Sequence, residues 1–95
     1  MASAKESMLN TANFYIGKVV TAKNACEAAA RNMISAQHDI SHNWSGASGN
    51  AMDQALNDLR YKINGVYTRL AALESQMRIQ VDGIYNSWIE EDPEA

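Results

Sequence analysis

Residues 38–55 read HDISHNWSGASGNAMDQA, and they interrupt a chain otherwise patterned for helix. The stretch holds one of the two Trp residues and two of the five Gly, with Trp44 and Gly46 two positions apart. Gly46 has no Cβ and reaches backbone conformations costly for other residues, so the chain is expected to reverse there. A helix entering from the N-terminal side should fade near His42 or Asn43. Ser45 or Ser48 is placed to cap the next helix by accepting a backbone N–H, and Gly49 should let that helix pass close to the first. Trp44 is expected to fold over the open end of the hairpin and shield it from water. On residue chemistry alone, the simplest reading of this pair is an end plug and a turn.

Working outward, each side of the bend carries one long apolar seam. Before it, Met8, Ala12, Tyr15, Val19, Ala22, Cys26, Ala29, Met33, Ala36 and Ile40 are spaced alternately by four and three. That is a heptad seam. After the bend, Met52, Leu56, Leu59, Ile63, Val66, Leu70, Leu73 and Met77 repeat it, with Ile84 beyond. Gln80 interrupts this second seam and Val81 beside it takes over. Two helices of about 40 residues, each roughly 60 Å long, are predicted. The first spans about 5–42, the turn 43–48 and the second about 49–90, with an acidic tail over 91–95. Four of the ten seam positions in the first helix are Ala, whereas Leu, Ile and Met dominate the second. Large side chains set against small ones let two helices approach closely. A short link between them makes the hairpin antiparallel.

The fold class is therefore all-α, an antiparallel two-helix hairpin. Apolar residues beside the first seam, namely Leu9, Ile16, Val20, Ala30 and Ile34, widen its stripe, and Tyr67, Ala71 and Tyr85 do so in the second. Stripes wider than one seam need a second partner. Two hairpins joined as a four-helix bundle are expected, as a homodimer or with a related chain, and the five first-helix residues are the candidate dimer contacts. Asp58 with Lys62 and Glu74 with Arg78 are read as ordinary pairs on solvated faces.

Composition narrows the function classes. The 95 residues suffice for one domain. A net charge of −3 with no basic face argues against nucleic acid as a partner. No run of about eighteen apolar residues exists to span a membrane. The opening MASAKESMLNTANFYIGK has no basic start followed by an apolar core, so no cleaved Sec signal is expected. The single Cys26 says nothing about redox compartment.

Candidate chemistry is sparse. His38 and His42 share one helix face at metal-ligand spacing, but two ligands do not make a structural zinc site, and imidazoles at a helix end also meet free carbonyls. No metal or other cofactor is expected. Cys26 sits on the seam among Ala, Val and Met with no His at helical spacing, which reads as inert packing. The seam Met residues fill gaps, and a rod of helices offers no enzyme-like cleft. Catalysis is not expected.

A chain of about one hundred residues with Trp44-Ser45-Gly46 between two heptad helices resembles the WXG family of small type VII secretion substrates. This is the group of the mycobacterial early secreted antigenic target and its firmicute relatives. Ala47 and Ala51 stand where that family often has small residues opening the second helix. The resemblance covers essentially the whole chain. It implies a hairpin that dimerises into a four-helix bundle, and export without a cleaved signal by a type VII secretion ATPase, from the cytoplasm to the outside. Many members carry Tyr-x-x-x-Asp/Glu after the second helix. Here Tyr85 is followed four residues later by Ile89, and Trp88 by Asp92, so the pattern reads Trp-x-x-x-Asp. Tyr85, Trp88 and Asp92 are the export-signal candidates. Glu90, Glu91, Asp92 and Glu94 oppose the dipole of a helix C-terminus, so this end should fray when free and order against a basic groove. Three roles stay open: an exported dimeric bundle, a targeting partner or chaperone for the helical N-terminal region of a larger effector, and a cytoplasmic adaptor unconnected with secretion.

Overall fold

The computed structural model describes residues 3–44 and 46–88. Two helices, α1 (Ala4–Asn43) and α2 (Gly46–Ser87), pack along their lengths as an antiparallel hairpin. The N-terminal half of α1 meets the C-terminal half of α2, as Lys23 with Glu74 shows, and the C-terminal half meets its start, as Gln37 with Asp53 shows. The chain measures 72 × 21 × 12 Å, with a radius of gyration of 21.3 Å. A compact globule of this length would have about 12 Å. The molecule is a rod one helix thick.

Local signals set the ends. The Ser3 hydroxyl caps α1 by accepting the Glu6 backbone N–H at 3.1 Å. The Trp44 N–H donates to the Ile40 carbonyl at 2.8 Å, and Trp44 itself is extended, at φ −118° and ψ 140°, which ends the helix. Gly46 follows with φ +76°, a left-handed conformation that favours glycine. The reversal at Gly46 is as expected, but tighter. The second helix opens at Gly46 itself rather than near residue 49, so Ser48 lies inside its first turn and does not cap it. Ser45 lies outside the described residues. A Cβ on Gly49 would sit 3.3 Å from the Trp44 carbonyl carbon and oxygen, so this glycine makes room for the backbone of the turn. Trp44 is 49% exposed and does not seal the hairpin end. At the other end α2 stops at Ser87, so the expected helix over 88–90 is not formed at Trp88, and the acidic tail lies outside the described residues.

The seam is rotated from its expected position. Along α1 the buried or half-buried line is Leu9, Ala12, Ile16, Val19, Lys23, Cys26, Ala30, Met33, Gln37 and Ile40. Along α2 it is Asp53, Leu56, Arg60, Ile63, Tyr67, Leu70, Glu74, Met77 and Val81. One half of each expected seam is kept: Ala12, Val19, Cys26, Met33 and Ile40 in α1, and Leu56, Ile63, Leu70 and Met77 in α2. The other half is displaced in α2 and at Tyr15 and Ala22 in α1, while Met8, Ala29 and Ala36 stay half-buried. Tyr15 and Ala22, and in α2 Met52, Leu59, Val66 and Leu73, remain exposed. Both helices have turned by about 50°, the angle between adjacent lines of a heptad. The physical reason is polar pairing: the lines that turn inward carry Lys23 and Gln37 on α1 and Asp53, Arg60 and Glu74 on α2, which bond to one another across the hairpin.

Candidate interaction surface

The rotation gives the hairpin two unlike flanks. On one, Lys23 Nζ donates to Glu74 Oε1 at 2.7 Å, while Arg78 Nε donates to Glu74 Oε2 at 2.9 Å. The hydrogen bond from Lys23, then that from Arg78, holds the Glu74 carboxyl below its usual range. The same bond raises the Lys23 ammonium above its own. Two heptads along α1, Gln37 Nε2 donates to Asn57 Oδ1 at 2.8 Å and to Asp53 Oδ1 at 3.2 Å, and Arg60 Nη1 donates to Gln37 Oε1 at 2.7 Å. Lys5 Nζ sits 4.1 Å above the Tyr85 ring. Glu74 is thus no member of a merely solvated face, and Asp58 with Lys62 forms no ion pair among the described residues.

The opposite flank is apolar and open. Met52, Leu59, Val66 and Leu73 recur every seven residues along α2 and are 41–47% exposed. On α1 the corresponding line is Met8, Tyr15, Ala22, Ala29 and Ala36, with Tyr15 and Ala22 exposed. The polar bonds join one edge of the two seams, so these lines share the other edge. The surface area of the chain is 6930 Å², against about 5400 Å² expected of a compact monomer of this mass. The excess of about 1500 Å² exceeds the roughly 800 Å² that one partner buries in an ordinary stable interface. Among the described residues Ile16 is the one apolar side chain that is buried, at 2% exposure.

No family model, curated protein or solved structure matches this chain.

The residues singled out from sequence fall in several places. Leu9, Ile16 and Ala30 lie in the seam between α1 and α2, and Val20 is half-buried beside it. Of the five candidate dimer contacts only Ile34 is exposed, and it stands on the polar edge. The more exposed apolar line of the hairpin is on the opposite flank. Trp44 and Gly46 sit together at the turn, where Trp44 lines a shallow cleft with Ile40, Gly49 and Asp53. Tyr85 is half-buried under Lys5. Trp88 is half-buried just past α2, its N–H bonded to the Tyr85 carbonyl at 3.3 Å, and Asp92 lies outside the described residues. His38 and His42 stack at the C-terminal turn of α1. Sequence reasoning missed Lys23, Gln37, Arg60 and Glu74 as cross-hairpin contacts. Their signal was spacing: Lys23 and Gln37 are two heptads apart, as are Arg60 and Glu74.

Proposed function

We propose that the chain is a non-catalytic interaction module of the WXG type, exported through type VII secretion as a dimeric four-helix bundle. The observation that carries the reading is the open apolar flank. A hairpin with one edge tied by polar bonds and the other lined by Met52, Leu59, Val66 and Leu73 has half of a bundle core uncovered. The small residues of the α1 line, Ala22, Ala29 and Ala36, suit the larger α2 line of a second hairpin, so two copies related by a two-fold axis satisfy each other. The Trp44-Ser45-Gly46 turn adds the family pattern at the place that family has it.

The tail favours a second reading. Ile89 stands where the family's tyrosine motif has an acid, so a partner chain can be the bearer of the export signal. In that case the flank receives the helical N-terminal region of a larger effector. Light scattering on the purified chain over a concentration series separates the two. A mass near twice 10.5 kDa that persists on dilution supports the homodimer. A monomer at all concentrations overturns it and leaves the heterodimer.

A further inference from the structure

Building on the homodimer reading, we propose that the two hairpins lie parallel, with both turns at one end of the bundle, and that Asp39 of each copy pairs with Lys62 of the other. The open flank is uneven along the rod. Its large α2 residues, Met52, Leu59, Val66 and Leu73, occupy the three heptads next to the turn, and Gln80 ends the line. Over the same stretch the α1 line is small, at Ala22, Ala29 and Ala36, and it becomes large only beyond, at Tyr15 and Met8. The bonds of Lys23 to Glu74 and of Gln37 to Arg60 fix which residues stand at equal height. By that register Leu59, Val66 and Leu73 lie within about 3 Å of the heights of Ala36, Ala29 and Ala22.

Two symmetric placements set one open flank against another. With the two-fold axis along the rods, α2 of each copy lies over α1 of the other at the same height, and each large residue meets an alanine. With the axis across the rods, α2 lies over α2. The large residues then meet one another or Gln80, and the alanines have no large partner from α2. The rims favour the same placement. Three residues on from Leu59 and Val66, the solvent side of the α2 line carries Lys62 and Arg69; three on from Ala36, the α1 line carries Asp39. All three are exposed, and neither Lys62 nor Arg69 makes an ion pair among the described residues. Asp39 has only His38 Nδ1 nearby, at 3.9 Å. In the parallel placement Asp39 and the second copy's Lys62 differ in height by about 6 Å, which a lysine side chain spans, and symmetry makes the pair twice. In the crossed placement Lys62 and Arg69 approach the same two cations of the second copy.

Charge reversal in the full chain is the first test, read as the dimer dissociation constant from sedimentation over a concentration series. Asp39→Lys and Lys62→Glu should each weaken the dimer by about tenfold, and the double variant should return to within about threefold of the parent. A tighter dimer in Lys62→Glu overturns the proposal, because it marks relief of repulsion between two α2 helices. A double variant as weak as both losses combined overturns it too. Direction is read separately by a nitroxide on Asn50→Cys or Asn10→Cys, both exposed positions, in a Cys26→Ser chain whose helicity matches the parent. Parallel hairpins bring each label within about 40 Å of its copy, the width of two helices plus both labels. A separation of about 60 Å or more at either position, the length of one helix, overturns the parallel placement and leaves the homodimer standing. A monomer at every concentration overturns the homodimer itself, and the placement with it.

Discussion

Lys23 on α1 and Glu74 on α2 are 51 positions apart in sequence, and their charged atoms meet at 2.7 Å. Arg78 completes the group from one turn further along α2, at 2.9 Å from the other carboxylate oxygen. This group pins the middle of α1 to the C-terminal half of α2. Lys23 and Glu74 are mostly covered, at 21% and 16% exposed, while Arg78 is half exposed. An exposed pair within one helix, such as Glu27 with Arg31 at 3.7 Å, makes no such connection.

The pair predicts a pH window. The folded Glu74 carboxyl titrates below its unfolded value, so its contribution is present above that unfolded value and is lost as pH falls through the lower folded one. Lys23 is raised, so its contribution is present below its unfolded value and is lost as pH climbs through the higher folded one. The hairpin should therefore hold its Tm through the neutral range and lose it toward both ends. In Glu74→Gln the acid-side fall should flatten when unfolding is followed by circular dichroism. A slope equal to that of the parent would refute the role given to Glu74.

Ile16 should dominate the apolar contribution. Ile16→Ala is expected to cost about 2–4 kcal/mol, because the side chain is enclosed and the cavity cannot refill from a neighbouring layer. Ile79→Ala, at a position 68% exposed, should stay within about 0.5 kcal/mol. Urea denaturation of both variants compares them, and similar losses would contradict the seam as described.

At the turn, the cost lies in the backbone. A Cβ on Gly46 would touch nothing within 4 Å, so crowding plays no part, but φ is +76°. Gly46→Ala should cost about 1–2 kcal/mol and Gly46→Asn less, since Asn tolerates the left-handed region. Trp44→Ala should cost about 1–2 kcal/mol, roughly half the value for a fully covered aromatic, because the ring is half exposed. Equal stability of Gly46→Ala and the parent would mean that the turn differs in solution.

The open flank should respond to charge without loss of helix. Leu59→Glu and Leu73→Glu place carboxylates on the exposed line of α2, where a lone hairpin tolerates them. A dimer core would not. Expected outcomes are retained helicity at high dilution and a sedimentation mass reduced to the monomer. Dimers unaffected by both substitutions would place the interface elsewhere.

On the proposed reading, export depends on Trp88 and Asp92. Trp88→Ala and Asp92→Ala are expected to abolish secretion from a type VII-competent host while the protein accumulates folded inside the cell. Tyr85→Ala should also destabilise the hairpin, since Lys5 covers that ring at 4.1 Å. Secretion at parental levels in both Trp88→Ala and Asp92→Ala would rule out the Trp-x-x-x-Asp reading.

Two helices, their antiparallel pairing and the place of reversal follow from the residue pattern alone. Heptad spacing from Met8 to Ile40 and from Met52 to Met77 belongs to each segment separately, and the freedom of Gly46 to take positive φ needs no distant partner. The direction in which each helix faces rests instead on contacts between the helices. The expected seam and the observed one share the lines through Val19 and Ile63, and apolarity alone favours Tyr15, Ala22, Leu59 and Val66 as their companions. The choice of Lys23, Gln37, Arg60 and Glu74 depends on hydrogen bonds between residues far apart in the chain, whose partners are identified only once the helices lie side by side. The same bonds turn the apolar line of α2 outward, and so the open flank, like the seam, is a consequence of polar pairing across the hairpin.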